Sequence, residues 1–172
     1  LISIFEWTRM SKRKIYLFPG ILFITLSFYS VYLLRIDPTY QNYFFFLYCI
    51  IISVSTDIGG FLFGKLFKGP KLTQISPNKT YSGVFGSYFF TIIFIFIYIN
   101  NFDYVGNFLT DYLLFVFALI SSTVSQIGDI IISYFKRLNK LKNTGSLIPG
   151  HGGLLDRIDG MIFAFPFVFI GI

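Results

Sequence analysis

The chain has 172 residues, of which 55% are hydrophobic, 22% aromatic and only 13% charged. A soluble domain carries about a quarter charged residues, so this chain lacks the groups to cover a water-facing surface. An ordinary soluble domain, a disordered tail and a coiled coil are excluded, and a polytopic membrane protein remains.

The first apolar run, residues 15–34, has about the 20 residues a helix needs to cross the hydrocarbon core. The second, 43–63, is interrupted by Asp57, Gly59 and Gly60. The third, 84–99, is short, but 81–100 gives a crossing length with polar ends. The fourth, 112–135, carries Asp129. The fifth starts near Met161 and reaches Ile172, which is too short to span unless its helix begins inside the preceding motif. The predicted fold is all-α, a polytopic transmembrane helical bundle with about five membrane helices and cytoplasmic catalytic loops.

Net charge is +6, from 14 Lys and Arg against 8 Asp and Glu. Basic residues lie in short groups between apolar runs, not along one stripe, which argues against nucleic acid as a partner. In an alternating topology, 13 of the 14 fall on one side, and only Arg35 falls on the other. The positive-inside rule makes the rich side cytoplasmic, where these groups also meet anionic lipid headgroups. The loops at 64–80 and 136–160 lie on that side and hold far more Gly, Pro and ionisable residues than simple turns need. Cys49 stands alone in an apolar run, so no disulfide framework or thiolate metal cluster is expected.

Carboxylates inside apolar runs are costly and should face the bundle interior, a partner or a wet cavity. Asp57 follows Ser53, Ser55 and Thr56, and Asp129 follows a Ser- and Thr-rich stretch, which suggests a shared polar cavity. A structural polar contact or a place at the headgroup level is the alternative. Asp129, Ser133 and Arg137 are spaced by four and line one helix face, with Lys136 and Lys140 alongside. A carboxylate below cationic side chains suits a metal ion plus phosphates; snorkelling at a helix end is the alternative for Lys136 and Arg137.

The densest stretch is 147–160, Leu-Ile-Pro-Gly-His-Gly-Gly-Leu-Leu-Asp-Arg-Ile-Asp-Gly. Gly150, Gly152 and Gly153 let backbone N–H groups approach an anion. Asp156 and Asp159, three apart, would form a carboxylate pair suited to Mg²⁺. Arg157 between them could clamp a phosphate. His151 could bind phosphate or move a proton, with ordinary loop hydrogen bonding as the alternative. The 64–80 loop, with Lys and hydroxyl residues, resembles a phosphate-contacting loop but contains no Walker A pattern. A solvated basic loop fits it equally well.

Together these stretches resemble the integral-membrane phosphatidate cytidylyltransferases (CDP-diacylglycerol synthases). The family pattern of Ser-x-x-Lys-Arg followed by Pro-Gly-His-Gly-Gly-x-x-Asp-Arg-x-Asp is matched by Ser133, Lys136, Arg137, Pro149, Gly150, His151, Gly152, Gly153, Asp156, Arg157 and Asp159. Gln126-x-Gly128-Asp129, Asp57 with Gly59, Gly64 and Lys65, and Ile75-Ser76-Pro77-Asn78-Lys79-Thr80 match further family elements. Phe5-Glu6-Trp7 looks like its Trp-Glu-Trp type of element. Acids usual in the family are replaced by Ser82, Ile132 and Asn143, which puts the level of turnover in question.

The resemblance implies one integral-membrane domain over 1–172, expected to lack N-terminal helices of the full family fold, since the chain opens without Met and the stretch from Trp7 to Asp57 is compressed. It implies a metal-dependent nucleotidyltransferase of phospholipid biosynthesis that joins CTP and phosphatidate, giving CDP-diacylglycerol and pyrophosphate. Asp129, Lys136, Arg137, His151, Asp156, Arg157 and Asp159 would be catalytic. Ser76, Lys79, Thr80, Ser133, Gly150, Gly152 and Gly153 would bind nucleotide. Asp57, Asp129, Asp156 and Asp159 would hold Mg²⁺, with a second mono- or divalent cation expected beside it. Membrane lipids are partners, and a homodimer is an open expectation. A bacterial inner membrane is the expected location, with the site facing the cytoplasm. A catalytically impaired relative and a small ion-coupled transporter using Asp57 and Asp129 are the alternatives.

Overall fold

The computed structural model describes residues 1–11, 14–36, 40–76, 79–102, 108–145 and 152–172. Among these residues seven helices follow in chain order: α1 (Ile2–Met10), α2 (Lys14–Ile36), α3 (Tyr40–Phe67), α4 (Tyr81–Asn101), α5 (Phe108–Leu138), α6 (Leu155–Ile158) and α7 (Met161–Gly171). Among the described residues there is no strand, only an isolated bridge between Lys71 and Thr80. Stretches within α2, α3, α4 and α5 are long and apolar enough to cross a membrane: Ile15–Ile36, Tyr43–Phe67, Tyr81–Asn101 and Asp111–Leu138. The chain is thus an integral membrane protein built as an all-helical bundle. The fifth apolar run forms α7, whose 11 residues rise about 16 Å against a hydrocarbon core of about 30 Å.

Helices α3 and α4 form the tightest pair. At their crossing, a Cβ on Gly59 would stand 2.3 Å from the Gly86 carbonyl oxygen, and one on Gly86 would stand 2.5 Å from that of Gly59. Backbone meets backbone there, so only glycine fits at either place. Such close approach lets small hydroxyl side chains reach across. Ser87 Oγ donates to the Thr56 carbonyl at 2.7 Å, and Thr56 Oγ1 lies 2.7 Å from Ser122 Oγ on α5 and 3.2 Å from Thr91 Oγ1 on α4. This buried network satisfies its own members and joins α3, α4 and α5, as polar groups away from water must.

Two apolar clusters cement the bundle. One gathers Leu34, Phe44, Tyr48, Ile52, Ile95, Leu114, Phe165 and Val168, with α7 wedged against α2, α3 and α5. The other gathers Trp7, Met10, Ile24, Ile132, Leu155 and Ile162. It pins α1, whose buried face is Ser3, Glu6, Trp7 and Met10, beneath the loops that carry the ionisable residues. Trp7 meets Phe135 edge to face at 5.1 Å and donates its indole N–H to the Tyr16 and Leu17 carbonyls, both at 3.3 Å. A buried Trp needs such a partner for its N–H.

Candidate active site

The loop between α3 and α4 is closed by a neck of two backbone hydrogen bonds around the Lys71–Thr80 bridge. The Leu72 amide donates to the Lys79 carbonyl at 2.8 Å, and the Tyr81 amide donates to the Pro70 carbonyl at 3.1 Å. Thr80 then caps α4, its Oγ1 accepting the Gly83 amide at 3.1 Å. An N-cap hydroxyl of this kind fixes where a helix starts. The neck and cap together aim Lys79 inward, while Lys65, Lys68 and Lys71 stay exposed.

Lys79 Nζ lies 2.6 Å from Asp129 Oδ2 and 3.1 Å from the Gln126 carbonyl, both on α5. Around this contact is a cavity of about 240 Å³ lined by Asp57, Ser76, Lys79, Thr80, Gln126 and Asp129, with Thr56 and Ser87 among its remaining walls. Asp57 is accessible there. Ser133, one turn beyond Asp129, reaches Asp129 Oδ1 from 3.4 Å. Eighteen residues separate Asp111 from Asp129, a rise of about 27 Å, so Asp129 stands near the far membrane boundary if α5 enters at Asp111.

Asp159 comes to the same place from the C-terminal segment. It lies near enough to feel the charges of both Asp129 and Asp57. Burial, then Asp129, then Asp57 push its carboxyl well above the usual carboxylate range, against the partial relief given by Lys136. Crowded carboxylates behave this way, because their like charges cannot all be held without a counter-cation.

Asp156 does not join that group. Its Oδ1 accepts Lys136 Nζ at 2.8 Å, and its Oδ2 accepts the Thr144 amide at 2.8 Å, Thr144 Oγ1 at 2.9 Å and the Gly153 amide at 3.0 Å. Burial alone would raise its carboxyl, but the Lys136 ammonium and the Gly153 and Thr144 amides outweigh this and hold it below the usual range. The expected Asp156–Asp159 pair is therefore split. One carboxylate organises a loop and a lysine, and the other faces the membrane-helix carboxylates.

Gly152 (φ +88°) and Gly153 serve that loop. A Cβ on Gly152 would come within 2.8 Å of Asp156 Oδ2, and one on Gly153 within 2.4 Å of Thr144 Oγ1. The Gly153 amide, expected to face a ligand anion, is given to an internal one. Arg137 is exposed, donating to the Ile75 carbonyl at 3.5 Å and to the Leu141 carbonyl at 3.2 Å. It ties the two loops beside Ser76. Arg157 is also exposed. Gly150 and His151 lie outside the described residues.

Glu6 escaped the residue-by-residue reading. It is buried, with its carboxylate accepting the Leu154 amide at 2.9 Å, the Leu155 amide at 2.7 Å and Thr144 Oγ1 at 3.3 Å. The signal was present in Phe5-Glu6-Trp7, an acid between bulky apolar residues, but nothing in its spacing names a partner more than a hundred residues away.

The whole chain, residues 1–172, matches the Cytidylyltransferase family. The chain belongs to that family. Similar proteins include the phosphatidate cytidylyltransferase of Rickettsia typhi, 36% identical over 172 residues, covering 97% of this chain and 74% of the relative. That of Haemophilus influenzae is 36% identical over 152 residues, covering 86% of this chain and 50% of the relative. That of Staphylococcus haemolyticus is 31% identical over 168 residues, covering 94% and 62%. In this cytidylyltransferase the polar cavity is built from the start of α4 and from residues of α3 and α5 that lie about ten positions before those helices end.

Among the described residues, no three carboxylate, His or Cys side chains close on one point as a ready-made metal centre. The donor set still suits a hard cation. Asp57, Asp129 and Asp159 offer oxygen ligands only, as Mg²⁺ favours, and the Lys79 ammonium already stands against Asp129 as a positive charge would.

Proposed function

We propose that this chain transfers a cytidylyl group from CTP to phosphatidate, giving CDP-diacylglycerol and pyrophosphate, at the cytoplasmic face of a bacterial inner membrane. The observation that carries this reading is the polar cavity between membrane helices lined by Asp57 (α3), Asp129 (α5) and Lys79, with Asp159 near enough to feel both carboxylate charges. Simple helix packing needs no such cluster, and isolated carboxylates in a bilayer are costly.

A phosphate oxygen of phosphatidate attacks the α-phosphorus of CTP, the bond from that phosphorus to the bridging oxygen breaks, and pyrophosphate leaves. The nucleophile is already an anion, so no strong general base is required. Repulsion between two polyanions is the main obstacle, and fixed positive charge is the remedy. Lys79 points into the cavity, and Lys136 acts on Asp129 and Asp159 from the other side. Thr80 and Ser76 offer hydroxyls at the cavity wall. Asp57, Asp129 and Asp159 would hold Mg²⁺, which when bound neutralises phosphate charge and polarises the phosphoryl oxygens. Arg137 and Arg157, both exposed, would meet the outer phosphates.

The test is turnover by the purified chain with CTP, phosphatidate and Mg²⁺. Lipid-linked cytidine and pyrophosphate should form in equal amounts, and chelation by EDTA should stop both. Ion flux in liposomes without CTP consumption would instead favour a transporter. Sidedness is read separately by labelling a Lys142→Cys variant, since native Cys49 is buried. Reaction from the cytoplasmic side is expected.

A further inference from the structure

Glu6 has one of the most heavily used carboxylates among the described residues, yet no step of the proposed reaction needs it. Both its oxygens are taken by backbone amides of Leu154 and Leu155 and by the Thr144 hydroxyl. Thr144 in turn donates its backbone amide to Asp156 at 2.8 Å, and Asp156 holds Lys136. A single chain of contacts therefore runs from α1 through the 144–145 loop to α6 and on to the last turns of α5. Close packing surrounds it. A Cβ on Gly145 would meet Glu6 Oε1 at 2.8 Å, and one on Gly153 would meet both Glu6 oxygens at 2.6 and 2.7 Å.

What this chain of contacts fixes is the start of α6. Leu154 and Leu155 begin that helix, Leu155 is fully buried, and Asp159 follows one turn later beside Gly160, where a Cβ would stand 2.4 Å from Ser125 Oγ on α5. Two like-charged carboxylates do not hold each other in place. Something else must hold Asp159 beside Asp129, and the backbone amides at the start of α6 are gripped from another helix by the Glu6 carboxylate, with the Lys136–Asp156 ion pair from α5 beside them.

We propose that Glu6 is a positioning residue for cytidylyl transfer, and that it sets Asp159 and Lys136 by clamping the 153–155 backbone and Thr144. This rests on the function proposed above. Glu6 does not line the cavity that holds Lys79 and Asp129, so it acts on the rate of transfer more than on capture of CTP.

The experiment compares wild type with Glu6→Gln, Glu6→Ala and Thr144→Val, each in detergent, by turnover and by amide hydrogen exchange over 152–159. Glu6→Gln keeps shape but can accept with one oxygen only, so it separates the clamp from simple packing. Glu6→Ala should lower kcat on the order of 10- to 100-fold, the scale of a misplaced catalytic group, with KM for CTP changed far less. Exchange at Leu154 and Leu155 should speed up while the α3–α4 crossing stays protected. Glu6→Gln should fall between wild type and Glu6→Ala, and Thr144→Val should show the same pattern as Glu6→Ala more weakly. Wild-type rates and protection in Glu6→Ala would overturn the proposal, as would a loss of protection in every helix together in Glu6→Gln. No product from the wild type would overturn the functional reading instead, a result distinct from either.

Discussion

Lys79 Nζ and Asp129 Oδ2 stand 2.6 Å apart, and through this contact the loop leaving α3 is held against α5. The pair is only partly shielded from water, so its worth to stability is small. In the proposed reaction its consequence is for catalysis, because it places Lys79, the one lysine lining the cavity among the described residues, beside the Asp129 carboxylate.

Lys79→Met should therefore leave the fold intact and lower kcat/KM for CTP by roughly 10²- to 10³-fold, the usual loss for one fixed electrostatic donor. Lys79→Arg should recover part of the activity. Steady-state release of pyrophosphate checks both, with thermal unfolding as the control for folding.

The α3–α4 crossing should tolerate no side chain. In Gly86→Ala the new methyl would sit 2.5 Å from the Gly59 carbonyl and 2.3 Å from Phe63 Cβ. Neither backbone nor Cβ can move without shifting a helix, so the cost should be at the upper end of overpacking, about 3 kcal/mol. Gly69→Ala, whose methyl would meet a flexible Ser82 hydroxyl at 3.1 Å, should cost much less. Chemical unfolding in detergent measures the difference.

Asp156 sets a pH dependence of known sign. Its carboxyl is held below the usual range when folded, chiefly by Lys136 and two amides against the cost of burial. The stabilisation is therefore fully present above the unfolded value of about 3.9 and is lost as pH falls through the lower folded value. Protection of the Thr144 and Gly153 amides should be flat from neutral pH down to about 5 and fall only below about 4. Asp156→Asn should lose part of that protection at every pH.

The fold was largely legible because its signals are local. Runs of apolar residues of crossing length, and Lys and Arg on alternate connections, specify helices and their order without knowledge of partners. The cavity was partly legible for the same reason: Asp57 and Asp129 are conspicuous inside apolar runs. What the chain order hides is which way a side chain turns at the end of a helix. Asp156 and Asp159 looked like one pair from their spacing, but α6 is a single four-residue turn, and Lys136, Thr144 and Gly153 draw Asp156 away. Gly152 and Gly153 looked like a cradle for a ligand and instead make room for the chain's own carboxylates. Glu6 could not be assigned at all, since its partners lie at the other end of the chain.

Ile132 explains one departure from the family pattern. It is 2% exposed, packed among Trp7, Met10, Ile24, Leu155 and Ile162. A glutamate there would be a buried charge without a partner. Ile132→Glu, the change that restores the family's usual acid, should destabilise by about 3 kcal/mol or more and should not raise activity. Thermal unfolding and turnover of that variant check this.

The most direct measurement is the rate of CDP-diacylglycerol formation by wild type and Asp159→Asn at saturating CTP, phosphatidate and Mg²⁺. If carboxylates from separate segments act together on the phosphates, wild type makes product and Asp159→Asn, with unchanged thermal unfolding, loses at least about two orders of magnitude. Equal rates from the two proteins would contradict the account.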